Sequence, residues 1–176
     1  MLLAGDEFEE CGLPVFVLAA GTQDRIADLG RILDPLAPPA QIAADIGVVA
    51  AKVAAPDKFC VNIMGDAAFG MTGLDFETAA RCGIPITTLV LTTSTMAIET
   101  HAMALSHERY RARDLGGNYA NIGRDLGGWS ERVEDPAQIG DAILRARRQN
   151  EDGKAALLEF ITSQEQGFSH RRGAAE

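Results

Sequence analysis

The stretch FCVNIMGDAAFGMTGLDFETAARCGIPITTLVLTTST, residues 59–95, decides the fold. It opens on an apolar run, Phe59–Met64, and closes on a second, Ile86–Leu91. Short apolar runs bounded by turn residues read as buried strands, and the β-branched second run is the stronger of the two. Between them Leu74–Cys82 reads as a short helix, stopped by Gly83 and Pro85. Each strand ends in a polar turn. The first is Gly65-Asp66-Ala67-Ala68-Phe69-Gly70-Met71-Thr72-Gly73, and the second is Thr92-Thr93-Ser94-Thr95. A helix between two strands predicts a parallel pair, which brings both turns to one sheet edge.

Upstream of this unit, Gln41–Ala54 is Ala-rich with Ile42, Ile46 and Val49 recurring, and reads as a helix ended by Pro56-Asp57-Lys58. Downstream, Thr92–Gly117 has mixed polarity and no clear period, which predicts loop and short helix. Asn118–Leu126 reads as a helix closed by Gly127-Gly128, and Trp129–Val133 as a short strand. Asp135-Pro136 starts a helix in the expected way, with Pro at its first position. Its apolar face is Ile139, Ile143 and Leu144, and Gly153 ends it. Ala155–Thr162 is a last strand. Near the N-terminus, Pro14–Ala20 reads as a strand and Asp24–Leu33 as a helix. The run Asp34-Pro-Leu-Ala-Pro-Pro then breaks the chain. That break predicts a boundary between residues 1–40 and a domain at 41–176.

Apolar strands alternating with helices predict a three-layer α/β sandwich with a mostly parallel sheet. In such sheets ligands bind beyond the C-terminal ends of the strands. The turns at Gly65 and Thr92 are therefore the places for chemistry.

The net charge of −9 argues against non-specific nucleic-acid binding, since a phosphate backbone would be repelled. No apolar run approaches the roughly 20 residues of a membrane span. Asp6, Glu7, Glu9 and Glu10 stand where a secretion signal would be basic and then apolar. Cys11, Cys60 and Cys82 are odd in number and widely spaced, which predicts buried, reduced thiols rather than disulfides or a zinc site. A soluble cytoplasmic protein is the expectation.

In the first turn, Gly65 lets the chain leave the strand sharply. The small residues Ala67 and Ala68 let backbone N–H groups approach an anion. Asp66 offers a carboxylate to a hard cation. Taken alone, a Gly-Asp turn ending an ordinary strand explains these residues equally well. Thr93 lies 27 positions beyond Asp66. That interval holds one helix and one parallel strand, and so predicts a shared site.

Residues 65–91, GDAAFGMTGLDFETAARCGIPITTLVL, followed by a polar pair, resemble the cofactor-binding signature of thiamine-diphosphate enzymes. That signature opens with Gly-Asp-Gly or Gly-Asp-Ala and closes with Asn-Asn. The resemblance is strongest to the acetolactate synthase and 2-oxoacid decarboxylase group. It runs from about residue 41 to the end and is absent from residues 1–40. It implies thiamine diphosphate and Mg²⁺ as cofactors. Asp66 and Thr93 are then metal ligands through their side chains and Thr95 through its carbonyl. Gly65, Ala67 and Ala68 then line the diphosphate, with Ser94 and Met96 flanking the cofactor. It further implies a 2-oxoacid substrate and a partner, either an identical chain or a pyrimidine-module subunit. That module carries the glutamate that activates the cofactor.

Two departures stand out. The family's Asn-Asn pair is Thr92-Thr93 here, which predicts weaker metal and cofactor affinity. The pyrimidine-binding module is not found in this sequence, which leaves a split-enzyme subunit or a truncated product. A phosphate-binding module without catalysis is the rival reading. A Rossmann or P-loop site is disfavoured, because neither G-x-G-x-x-G nor G-x-x-x-x-G-K-[ST] occurs. Glu77 is read as structural, His101, His107 and His170 as surface residues, Arg111 and Arg113 as solvated charges, and Trp129 as core.

Overall fold

The computed structural model describes residues 41–42, 45–96 and 102–163. The strand at Pro14–Ala20, the helix at Asp24–Leu33, the break after Leu33, Cys11, His101 and His170 lie outside these residues.

Five strands form one sheet in the order β1-β2-β3-β5-β4, and all four pairings are parallel. They are β1 (Gln41–Ile42), β2 (Cys60–Gly65), β3 (Thr87–Thr92), β4 (Trp129–Val133) and β5 (Ala156–Ile161). The helices are α1 (Asp45–Ala54), α2 (Asp66–Thr72), α3 (Leu74–Cys82), α4 (Ala104–Tyr110), α5 (Tyr119–Asp125) and α6 (Ile139–Glu151).

The layers follow from the period-two alternation of the strands. Val61 and Ile63 of β2, Leu89 of β3 and Ala156, Leu158 and Phe160 of β5 pack with Ala142, Ile143 and Ala146 of α6. The opposite side chains, Cys60, Met64, Val90 and Leu157, pack with Val48 of α1, Phe69 of α2, Phe76 and Ala79 of α3 and Tyr119 of α5. The chain moves across the sheet from β1 to β4 with α1, α2, α3 and α5 on one face, then steps back to β5 with α6 on the other. That reversal is what the common right-handed crossover requires. Asn150 of α6 pins the far edge: its amide donates to the carbonyls of Ile86 (2.9 Å) and Lys154 (2.8 Å) and accepts from the Thr87 hydroxyl (2.7 Å).

Two assignments are corrected. Gln41–Ala54 is not one helix: Gln41 and Ile42 pair with Cys60 and Val61, and the helix starts at Asp45. Residues 65–73 are not an open turn, because α2 fills most of that span. Its first turn carries an acidic residue, which suits the positive helix end, and Phe69 anchors it in the core. The helix expected from Pro136 opens as a 3₁₀ turn, Pro136–Gln138, before α6. Cys60 is buried as expected, whereas Cys82 is exposed, and both are free. Trp129 is half-buried against the α6 side of the core. Glu77 pairs with Arg81 one turn on, at 2.8 Å.

Gly83 ends α3 in the left-handed region, φ 64°, and its N–H bonds back to the carbonyls of Ala79 and Ala80. Gly128 is needed for space rather than for φ. A Cβ there would stand 2.6 Å from Phe76 Cε1 and 3.1 Å from the carbonyl oxygen of Ala155. We expect Gly128→Ala to lose about 1–3 kcal/mol, the usual cost of overpacking. Thermal denaturation measures it, and an unchanged midpoint would show that Phe76 has room to move.

Candidate functional site

The parallel register sets Gly65 of β2 opposite Leu91 of β3. One residue further on, Asp66 and the residues after Thr92 share the C-terminal edge of the sheet. Asp66 is 3% exposed. Its Oδ1 accepts the N–H of Ala67 at 3.0 Å. Its Oδ2 accepts the N–H of Thr93 at 3.0 Å and that of Ser94 at 2.7 Å. Two successive N–H groups thus converge on one oxygen, the arrangement of a backbone anion nest. Ser94 adopts φ 59°, a left-handed conformation disfavoured for a side chain of its kind.

The second turn is braced from several directions. The Thr93 hydroxyl donates to the Thr95 carbonyl at 3.1 Å. Leu115 N–H donates to Ser94 O at 3.1 Å and Met96 N–H to Arg113 O at 2.8 Å, while Thr95 forms an antiparallel bridge with Asp114. Arg111 lies 2.7 Å from Asp114, and its hydrogen bond is the main reason the Asp114 carboxyl is held below its ordinary range. Arg111 is therefore engaged with Asp114 rather than only with solvent. His107 is half-buried, with Nδ1 3.7 Å from Asp114 Oδ1.

The structure brings together Gly65, Asp66, Ala67 and Ala68 at the start of α2 with Thr93 and Ser94 after β3. The Thr95 carbonyl stays beside the Thr93 hydroxyl, while the Thr95 and Met96 backbone is tied to Asp114 and Arg113. The Ala67 N–H is turned toward the neighbouring carboxylate. Sequence reasoning missed Glu159, which is fully buried in β5 and paired with Arg132 of β4 at 2.9 Å. A carboxylate inside the otherwise apolar run Ala155–Ile161 was the signal, because charged residues are almost never fully buried unless paired.

The site's donors are oxygens. Among the described residues, no group of three His, Cys, Asp or Glu could hold a metal. Any cation here would rest on one carboxylate and neutral oxygens, a hard-ion set. The 3.1 Å between Thr93 Oγ1 and the Thr95 carbonyl oxygen fits such an ion. Adjacent ligands of an octahedral Mg²⁺ at about 2.05 Å stand about 2.9 Å apart. No Lys, Arg or His among the described residues pairs with Asp66.

A parallel α/β sheet with a buried carboxylate at its C-terminal edge defines the class, an α/β domain whose crevice lies beyond the strand ends. The family model for the C-terminal TPP binding domain of thiamine pyrophosphate enzymes matches residues 38–160. The chain belongs to that family. It is 28% identical over 129 residues to a probable acetolactate synthase of Mycobacterium bovis, covering 72% of this chain and 23% of that one. It is also 28% identical over 130 residues to a sulfoacetaldehyde acetyltransferase of Alcaligenes xylosoxydans, covering 72% and 22%. The chain thus spans under a quarter of the length of these curated relatives. A thiamine diphosphate-dependent 4-hydroxybenzoylformate decarboxylase of Rhodococcus jostii superposes with a TM-score of 0.58 at 20% identity, over 68% of this chain and 23% of that one. That likeness shows the fold. Among the described residues, no helix is long and apolar enough to cross a membrane.

Two expectations follow from the geometry. Asp66→Ala leaves the Thr93 and Ser94 N–H groups without their acceptor. We expect a loss on the order of 1–2 kcal/mol in urea denaturation, since Thr93 is half-buried and Ser94 exposed, and water meets part of the loss. A gain in stability would mean that burying the charge outweighs the clamp. The second concerns Tyr119, whose phenol is pushed up by burial first and then by the charges of Asp66 and Glu159. The native state therefore holds this proton more tightly than the unfolded chain does. Its contribution to stability is full below the unfolded value of about 10 and falls as pH rises above it. Tyr119 is the only tyrosine left in Tyr110→Phe. A spectrophotometric titration of that variant should show tyrosinate forming above the usual range, and an ordinary titration would contradict the burial.

Proposed function

We propose that this domain holds the diphosphate of thiamine diphosphate through Mg²⁺ in the crevice between β2 and β3. The observation that carries the reading is the buried Asp66 carboxylate, which has no side-chain cation among the described residues and binds the turn that carries the Thr93 hydroxyl and Thr95 carbonyl. On this reading Asp66, Thr93 and Thr95 hold the metal. The backbone at Gly65, Ala67 and Ala68 lines the diphosphate, and Ser94 and Met96 flank the cofactor. Thiamine diphosphate, when bound, supplies the nucleophilic carbon that makes or breaks a C–C bond beside a carbonyl. The chain's residues bind and orient the diphosphate end and keep water from the buried carboxylate.

The substrate class we assign is a 2-oxoacid, with decarboxylation or carboligation as the reaction. Family membership and the names of the relatives support it. A second module, on an identical chain or a pyrimidine-module subunit, completes the site. Met71 and Leu74, 75% and 74% exposed at the junction of α2 and α3, support a docking face beside the crevice. The free thiols of Cys60 and Cys82 support a reducing compartment, the cytoplasm.

Calorimetric titration of the folded chain with thiamine diphosphate, in Mg²⁺ and then in EDTA, tests the reading. We expect weak, magnesium-dependent binding. Binding that ignores EDTA would favour a non-catalytic phosphate-ligand module, and no binding in either condition would defeat both. Thr93→Asn restores an amide oxygen and should tighten magnesium-dependent binding on the order of tenfold, or about 1.4 kcal/mol. Unchanged affinity would remove Thr93 from the ligand set.

A further inference from the structure

Glu159 sits in β5, between β3 and β4, with none of its surface exposed. Both carboxylate oxygens are engaged. Oε1 accepts from Arg132 Nη1 at 2.9 Å and from the Thr92 hydroxyl at 3.4 Å. Oε2 accepts the N–H of Ala120 at 3.0 Å. Thr92 is the last residue of β3, and Ala120 is the second residue of α5. The turn at Thr93–Met96 follows the first, and α4 precedes the second. One buried carboxylate therefore binds the end of β3 to the start of α5.

We propose that Glu159, with Arg132 as its counter-charge, is a positioning residue that staples the end of β3 to the start of α5 and thereby sets the second turn of the cofactor site. Its bearing on cofactor affinity rests on the function proposed above. The staple itself does not. A buried ion pair is often replaceable by apolar residues without loss of stability. The neighbours Leu157, Leu158 and Phe160 are all apolar and buried, so packing alone has no need of a charge at 159. An apolar side chain could fill the space but could not bind a hydroxyl and an N–H from two other elements. The staple works on the opposite side of the turn from Asp66. Asp66 holds Thr93 and Ser94 from the start of α2, while Glu159 holds Thr92 from β5.

The test is amide hydrogen exchange, resolved by NMR, on the full chain without ligand. Thr92→Val removes only the hydroxyl at one end, and Glu159→Gln weakens both ends. We expect Thr92→Val to speed exchange at Thr93, Ser94, Met96 and Leu115 by about fivefold, the weight of one net hydrogen bond. Val61 and Ile63 in β2 should not change. Glu159→Gln should add Ala120 and the first turn of α5 to the affected set. Unchanged exchange at the turn in Thr92→Val overturns the staple. So does a uniform rise across the sheet in Glu159→Gln, which would mark a merely structural charge. A parallel titration with thiamine diphosphate and Mg²⁺ separates the two proposals. Wild-type chain that fails to bind defeats the cofactor reading while the exchange result still decides the staple.

Discussion

The carboxylate of Asp66 joins two strands that are not joined by their own ladder at that level. The backbone pairing of β2 with β3 ends at Gly65 and Leu91. Beyond it, the hydrogen bonds from Thr93 and Ser94 to Asp66 Oδ2 carry the adjacency one residue further, through a side chain. A side-chain acceptor can take two donors at one oxygen, which a ladder carbonyl in a flat sheet does not do. That is why Ser94 can be held at φ 59° without being glycine. The strain is local and is met by two charge-assisted bonds, each stronger than a neutral one.

The edge that results carries two buried carboxylates with different solutions to the same cost. Glu159 meets an arginine and a backbone N–H, so its charge is balanced within the protein. Among the described residues, Asp66 meets only backbone N–H groups, which offer partial charges. A buried anion compensated by dipoles alone keeps an affinity for a cation that a salt-bridged one has lost. The edge is thus chemically asymmetric, with a dipole-compensated carboxylate beside β2 and a salt-bridged one in β5. Tyr119, which feels both charges, packs edge-to-face on Phe69 of α2 at 5.6 Å and links the two sides through the core.

What could be read from the residues alone was whatever local chemistry decides. Leu74–Cys82 and Trp129–Val133 lie where they were expected, because glycines at 83 and at 127–128 close their boundaries. The pairing of the turns at Asp66 and Thr93 was also legible, since one helix and one parallel strand leave little freedom of placement. Gln41 and Ile42 were not legible as a strand. Two residues have no period, and only their pairing with Cys60 and Val61 defines them. Three glycines in nine residues disguised α2, which Phe69 stabilises by burial rather than by propensity. The Glu159 network gathers β3, β4 and α5 around one residue, and sequence spacing carries no trace of such a meeting.

Thr93 in place of the family's asparagine changes what the turn does before any ligand arrives. A hydroxyl has a proton to give, and here it gives it to the Thr95 carbonyl. An asparagine can give that bond from its NH2 and still leave its oxygen free to accept a cation. The two oxygens assigned to the metal are therefore already held at a spacing that suits adjacent ligands. A cation that took both would need the hydroxyl proton to swing away from the carbonyl. That exchange costs about one net hydrogen bond, on the order of 1 kcal/mol, or about fivefold in affinity. On the proposed function, the substitution would lower affinity without disturbing geometry. A turn built this way keeps its shape when empty, at the expense of grip when filled.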